Sequence, residues 1–320
     1  MKGLLSMDFS KNRDTLTQVV EARASIRPVS QHRKPDGTMD VEGNLKLWNA
    51  VIGRFDRTLL WEGGAPGYDG RDPLQPPPSI VFVPAPQADK PRGTVVVAHG
   101  GGFRTRTGCE GIHVGDSFNR AGFAVAILTY RLEPYSRRDA MADMHRAVRL
   151  LRCRAGEWGI SDKVAVMGFS AGGMLSGNCA THFDSGDKNA KDPVERFSSR
   201  PDAAVVAYGA FSSVAFPGGF MHNPFEDRER AEKLYLATEK NITRETPPFF
   251  IWQTNSDDPR LSMNLARELT EAGVPFELHC FPQGVHGMAL ADGNNDLDMR
   301  VPHVARWAEL CAEWLESLGF

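Results

Sequence analysis

Six short apolar runs, separated by longer stretches that include amphipathic helical patterns, constrain this chain more than any other feature. They are Thr94–Ala98, Ala124–Thr129, Val164–Phe169, Ala203–Tyr208, Phe249–Gln253 and Pro275–Phe281. Runs of this length, mostly without polar alternation, suit strands buried on both faces of a sheet. Between them, Ala140–Arg152 places Met141, Met144, Ala147, Val148 and Leu151 on one helical face. Ser262–Ala272 and His303–Leu318 do the same, the latter through Val304, Trp307, Leu310, Cys311, Trp314 and Leu318. Strands alternating with helices predict an α/β fold: a mostly parallel central sheet with helices on both faces. In such sheets reactive groups sit in loops beyond the carboxyl ends of the strands.

A chain of 320 residues, 41% hydrophobic and 24% charged, can bury a sizeable core as one unit. Residues 1–72 are expected to wrap a catalytic domain spanning 73–320. Pro76–Pro78 and Pro84–Pro91 read as loops. The segment 212–246 breaks the alternation and carries Phe216, Phe220, Phe225 and Tyr235, so it is a candidate cap, with helices packed at the sheet edge as the alternative. Arg146, Arg149, Arg152 and Arg154 read as a solvated helix face.

A net charge of −3 gives no electrostatic reason for a nucleic-acid or anionic-membrane partner, so a small-molecule substrate is expected. No apolar run approaches the ~18 residues of a membrane span. The five cysteines have no CxxC pair, which predicts free thiols in a reducing compartment. The apolar stretch at the N-terminus is too short for a signal peptide, and cytoplasmic residence is the expectation. No metal or cofactor is expected. Asp292–Asp298 has Leu297 where a calcium loop needs its glycine and reads as a solvated acidic loop. The glycine-rich stretches lack the nucleotide-binding patterns.

The strongest chemical signal is Val164-Ala165-Val166-Met167-Gly168-Phe169-Ser170-Ala171-Gly172-Gly173, an apolar strand running into G-x-S-x-G and a helix-compatible stretch. A serine hydroxyl is a weak nucleophile unless it is exposed, held still and deprotonated as it attacks. A sharp strand-to-helix turn presents Oγ of Ser170 but crowds the backbone, which demands small residues at 168 and 172. The second signal is Thr94–Ala98 followed by His99-Gly100-Gly101-Gly102-Phe103. Attack on an ester carbonyl builds a negative oxygen that needs donors already in place. Backbone amides of Gly101 and Gly102, with that of Ala171 just after the nucleophile, are the candidate oxyanion hole. His99, at a strand end upstream of the serine, reads as orienting this loop.

A triad of this type follows the chain order nucleophile, acid, base. After Phe249–Gln253 comes Thr254-Asn255-Ser256-Asp257-Asp258-Pro259, and after Pro275–Phe281 comes Pro282-Gln283-Gly284-Val285-His286-Gly287. His286 is the candidate base, with His279 a competitor whose mid-strand position suggests sheet packing. Asp257 and Asp258 are adjacent, and the pattern itself does not choose between them. A base must be neutral to accept a proton, so activity is expected to decline as pH drops through roughly 6–7, the ordinary imidazole range.

Taken together, His99–Phe103, Gly168–Gly173, the Asp257-Asp258 pair and Gly284–Gly287 resemble the α/β-hydrolase esterases grouped around acetyl-xylan and other carbohydrate acetylesterases. The likeness runs from Trp61-Glu62-Gly63-Gly64-Ala65-Pro66-Gly67 to near Leu290, through Tyr130-Arg131-Leu132 and the Arg146–Trp158 stretch. It implies an α/β-hydrolase fold and metal-free hydrolysis of short-chain acyl esters, acetylated sugars among them, through an acyl-enzyme. Family members usually carry the catalytic acid followed two residues later by Val-Pro. Aligned on Leu261-Ser262, where this chain departs from Val-Pro, that pattern implies Asp258 as the acid beside Ser170 and His286. A peptidase on the same machinery and a non-catalytic binding protein on the same fold are the alternatives. Proteins of the latter kind typically lose a triad member, whereas candidates for all three stand here.

Overall fold

The computed structural model describes residues 9–86, 92–210, 212, 214 and 229–320. Within them the strands are β1 Thr58–Leu59, β2 Ser79–Val83, β3 Thr94–Ala98, β4 Ala124–Thr129, β5 Val164–Phe169, β6 Ala203–Ala207, β7 Phe249–Thr254 and β8 Phe276–Phe281. They form one sheet in the order β1-β2-β4-β3-β5-β6-β7-β8. From β4 to β8 every neighbouring pair is parallel, and β2 pairs antiparallel with both β4 and β1. All six expected strands are present to within about one residue. The antiparallel pair β1 and β2 was not anticipated. Thr58–Leu59 is only two residues long, and Ser79–Val83 sits between the Pro76–Pro78 and Pro84 signals that read as loop.

The helices are α1 Ser10–Glu21, α2 Val41–Ile52, α3 Val114–Arg120, α4 Arg137–Trp158, α5 Ala171–Thr181, α6 Arg230–Leu236, α7 Arg260–Ala272, α8 Pro302–Ala305 and α9 Trp307–Ser317. Side chains alternate across a strand, so the sheet divides its apolar residues between two cores. Val96, Ala98, Ala126, Leu128, Val164, Val166, Ala204 and Ile251 face one core with α4, α5 and α7. Val95, Val97, Val125, Ile127, Ala165, Met167, Val205 and Trp252 face the other with α1, α2, α3 and α9. Because both faces are covered, the central strands lack the polar alternation of a half-exposed sheet.

Helix α4 starts before the apolar periodicity does, because Ser136 and Asp139 form a capping box. It ends at Gly159, which takes the left-handed conformation at φ 64°. The expected helix His303–Leu318 is broken at Arg306 into α8 and α9. Residues of the first 72 positions enter both cores, with Leu45 and Leu60 in one and Leu16, Val19, Trp48, Val51, Ile52 and Phe55 in the other.

The arginine row of α4 is not a solvated face. Arg146 is buried and donates to Leu60 O and Glu195, with Asp192 also in ion-pair range. Arg149 pairs with Asp184 and Glu195, and Arg152 with Asp202. Acidic residues between α5 and β6 fold over the row, so charges spaced like a solvent-facing stripe become a seam between two chain segments. Arg154, half exposed, keeps more of the expected character. The acidic loop after Gly287 is likewise only partly solvated, since Asn295 is fully buried and donates to Met288 O and Met299 O. Of the candidate cap 212–246, α6 and a turn at Thr238–Lys240 are described, and Tyr235 lies against His182 with ring centroids 4.1 Å apart. Phe216, Phe220 and Phe225 lie outside the described residues.

Candidate active site

The site lies beyond the carboxyl ends of β3, β5, β6, β7 and β8. Ser170 closes β5 and immediately precedes α5, with φ 53° and ψ −118°. A non-glycine residue with positive φ costs on the order of 1–3 kcal/mol, which the surroundings must hold. They do so through the Ser170 N–H, which donates to Ala207 O at 3.0 Å, and through the burial of α5 on all sides. A Cβ at Gly168 would collide with the backbone of Gly172, and one at Gly172 with the carbonyls of Ala98 and His99. The turn is therefore confined to glycine at both positions.

Oγ of Ser170 lies 2.9 Å from Nε2 of His286. Nδ1 of the same ring is 3.0 Å from each carboxylate oxygen of Asp257. The result is a continuous chain from a hydroxyl through an imidazole to a buried carboxylate. The Asp257 side chain is fully buried, whereas the ring keeps 20% of its surface exposed. This geometry lets one ring nitrogen take the serine proton while the other keeps its own proton on the carboxylate.

Asp258 does not join this chain. Its backbone is left-handed at φ 55°, which turns the side chain away, and its carboxylate pairs with Arg260, Nε to Oδ1 at 2.7 Å. Hydrogen bonding from Arg260 holds that carboxyl below the usual carboxylate range. The assignment that rested on the Leu261-Ser262 alignment is therefore corrected: the carboxylate that reaches His286 is Asp257. Gln253, at the end of β7, fixes this choice. Its Nε2 donates to the carbonyls of Asp257 and Asp258, while its Oε1 accepts from Ser262 Oγ at 2.6 Å. His279 lies away from the serine and pairs with Glu277 at 2.7 Å.

The glycine loop after β3 takes left-handed dihedrals at Gly101, φ 113°, and Gly102, φ 63°. The Gly101 carbonyl accepts from the amides of Arg104 and Thr105, tightening the bend. Ala171 is the first residue of α5, where backbone amides have no partner within the helix. His99 is fully buried, stacks on Tyr130 with centroids 4.5 Å apart and meets Trp48 of α2 edge-on. Its Nδ1 is 2.7 Å from Gly100 O, while Tyr130 Oη donates to His99 O at 2.8 Å. Burial pushes the imidazole down to about 3, so it stays neutral.

Two residues near the site carry no sequence signal. Glu110, from a π-helical turn at Cys109–His113, is buried and accepts the Gly100 N–H at 2.8 Å and the Tyr208 hydroxyl at 2.7 Å. Tyr208, just past β6, packs edge-on to His286 with ring centroids 5.0 Å apart. Neither belongs to a motif, so only the folded chain brings them here.

The BD-FAE family profile matches residues 81–272, well over half of the chain. The chain belongs to the BD-FAE family. The matched stretch includes Ser170 and Asp257 and ends before His286, which this BD-FAE chain supplies from the loop after β8. An acetyl ester-xyloside bifunctional hydrolase from Caldicellulosiruptor lactoaceticus has a similar structure, with 34% identity and a TM-score of 0.75 over 83% of this chain and 97% of that one. Among curated relatives, endo-1,4-beta-xylanase B of Butyrivibrio fibrisolvens is 29% identical over 75% of this chain. An acetylxylan esterase of Xylanibacter ruminicola is 25% identical over 71% of it. The BD-FAE chain spans 39% and 47% of the lengths of those two proteins. Its fold is that of the α/β-hydrolases. Among the described residues, no helix is long and apolar enough to cross a membrane.

Proposed function

We propose that this protein is a serine carboxylic-ester hydrolase that removes short acyl groups, acetyl above all, from carbohydrate esters. The observation that carries the reading is the hydrogen-bonded chain from Ser170 through His286 to Asp257. In this mechanism His286 takes the Ser170 proton as Oγ bonds to the ester carbonyl carbon. The carbonyl π electrons move onto its oxygen, which amides of Gly101, Gly102 and Ala171 hold. Asp257 keeps the imidazole in the reactive tautomer and stabilises the imidazolium. The ring then gives its proton to the departing alcohol as the ester C–O bond breaks, leaving an acyl-serine. Water, deprotonated by the same ring, attacks the acyl carbon and releases the acid while the proton returns to Ser170. This sequence needs no metal or cofactor. Preorganised donors of this kind are each worth about 3 kcal/mol of transition-state stabilisation.

The substrate class draws support from relatives described as an acetyl ester-xyloside hydrolase and an acetylxylan esterase. The partner is then a small ester, with an acetylated sugar the preferred alcohol side. Cytoplasmic residence belongs to the same proposal and is supported by the five free thiols. The test is a panel of chromogenic acetyl, butyryl and feruloyl esters with acetylated xylo-oligosaccharides. Acetyl turnover by the wild type and none by Ser170→Ala is the expected result. Equal turnover by both, or failure of Ser170 to label with a fluorophosphonate, overturns the proposal, and cleavage of peptide amides in preference to esters points to the peptidase alternative.

A further inference from the structure

Glu110 ties together three segments that meet only at the site. One oxygen accepts the amide of Gly100 in the glycine loop, and the other accepts the hydroxyl of Tyr208 just past β6. That same hydroxyl oxygen accepts the N–H of Ala289, three residues beyond His286, at 3.0 Å. The carboxylate also lies close beneath the nucleophile. A Cβ built on Gly100 would meet Glu110 Oε2, Phe169 O and Ser170 Cβ at once.

Counting donors indicates which form of the acid fits. Ala289 already donates to the Tyr208 oxygen, so the Tyr208 proton must go elsewhere, and Glu110 Oε1 is where it points. Gly100 donates to the other oxygen. A carboxylate accepts both bonds as they stand, whereas a protonated acid keeps them only if the Tyr208 hydroxyl gives up its donor role. Burial pushes in the other direction, raising the Glu110 carboxyl, and His286 counters it by favouring the charged form. Among the described residues, the other titratable groups facing it are Tyr208, Cys109, Tyr130 and Asp296. Burial raises all four, which keeps the two phenols and the thiol neutral and moves Asp296 up to about 6. Among these neighbours, His286 is the group that gains positive charge during turnover.

We infer that Glu110, as a carboxylate, is a positioning residue that locks the glycine loop to the His286 loop and adds a second negative charge behind the imidazolium. The inference deepens the esterase reading and rests on it. Glu110 touches neither substrate nor reacting atoms; it acts through Gly100, Tyr208 and the field at His286.

The test is Glu110→Gln, which keeps the shape and the bond from Gly100 to a side-chain oxygen, while its amide N–H replaces Tyr208 as the donor of the other bond and the Tyr208 hydrogen must turn away. The charge and that donor direction change together. On a chromogenic acetyl ester, kcat should fall about tenfold with KM nearly unchanged, and the acid limb of the kcat/KM profile should move about one pH unit lower. The pH profile of fluorophosphonate labelling at Ser170, read without any ester, should move the same way. Tyr208→Phe removes the tie to Ala289 but leaves the carboxylate, so kcat should fall without lowering the acid limb. If Glu110→Gln keeps the wild-type kcat, acid limb and labelling profile, or falls together with Tyr208→Phe with no shift in either, Glu110 is a space-filling buried acid and the inference is overturned. A wild type that labels but is inert on every ester, with the labelling profile still displaced in Glu110→Gln, would instead sink the esterase reading and leave the electrostatic coupling standing.

Discussion

His286 Nε2 lies 2.9 Å from Ser170 Oγ although 116 positions separate the two residues. The contact is made by two parallel strands, β5 and β8, that end at the same edge of the sheet with β6 and β7 between them. The proposed chemistry rests on this convergence, so substitutions at either end are the direct tests of it.

Ser170→Ala should fold normally, because the deleted hydroxyl leaves only a small space at a nearly buried site. Its kcat on an acetyl ester should drop by about 10⁴-fold or more. Circular dichroism and a thermal melt alongside the assay separate lost chemistry from lost structure.

The two adjacent aspartates should separate cleanly. Asp257→Asn presents an amide where the ring needs a carboxylate, favouring the wrong tautomer, and kcat at neutral pH should fall about 10⁴-fold. Asp258→Asn loses the pair with Arg260, and asparagine tolerates the left-handed backbone, so activity should stay within about threefold. A larger loss at 258 than at 257 would contradict the geometry.

Gly172→Ala should destabilise the fold as well as the site. The added methyl would press on the carbonyls of Ala98 and His99, backbone that cannot give way without moving β3. Overpacking of this kind costs about 1–3 kcal/mol, read as a lower urea midpoint with unchanged slope.

Acid should weaken the protein before it reaches the carboxylate range. Burial holds His99 at about 3 and His113 at about 4, both lowered from 6.5. A lowered histidine binds fewer protons folded than unfolded, so its contribution is complete above pH 6.5 and lost as pH falls towards the folded value. Each such group steepens the loss by up to about 1.4 kcal/mol per pH unit across that window. Urea midpoints measured at pH 7.5 and 5.0 should show the decline. His113→Gln should flatten part of it.

The sequence by itself determined the six parallel strands, the tight turn at Ser170 and the loop that carries His286. Those features are local: apolar runs report burial on both faces, and glycines flanking Ser170 report a turn too tight for a side chain. The tertiary structure decided what depends on direction and distance. Asp257 and Asp258 are chemically identical, and the left-handed dihedral at 258 with the clamp from Gln253 selects which carboxylate faces the ring. Arg146, Arg149 and Arg152 of α4 have the spacing of a solvated stripe, yet acids brought in after α5 cover them. Glu110 has no pattern at all, and its place beneath Gly100 and Tyr208 exists only once β3, β6 and the loop after β8 have come together. Periodicity records how much of a residue is buried; which neighbour it is buried against is fixed by contacts between distant segments.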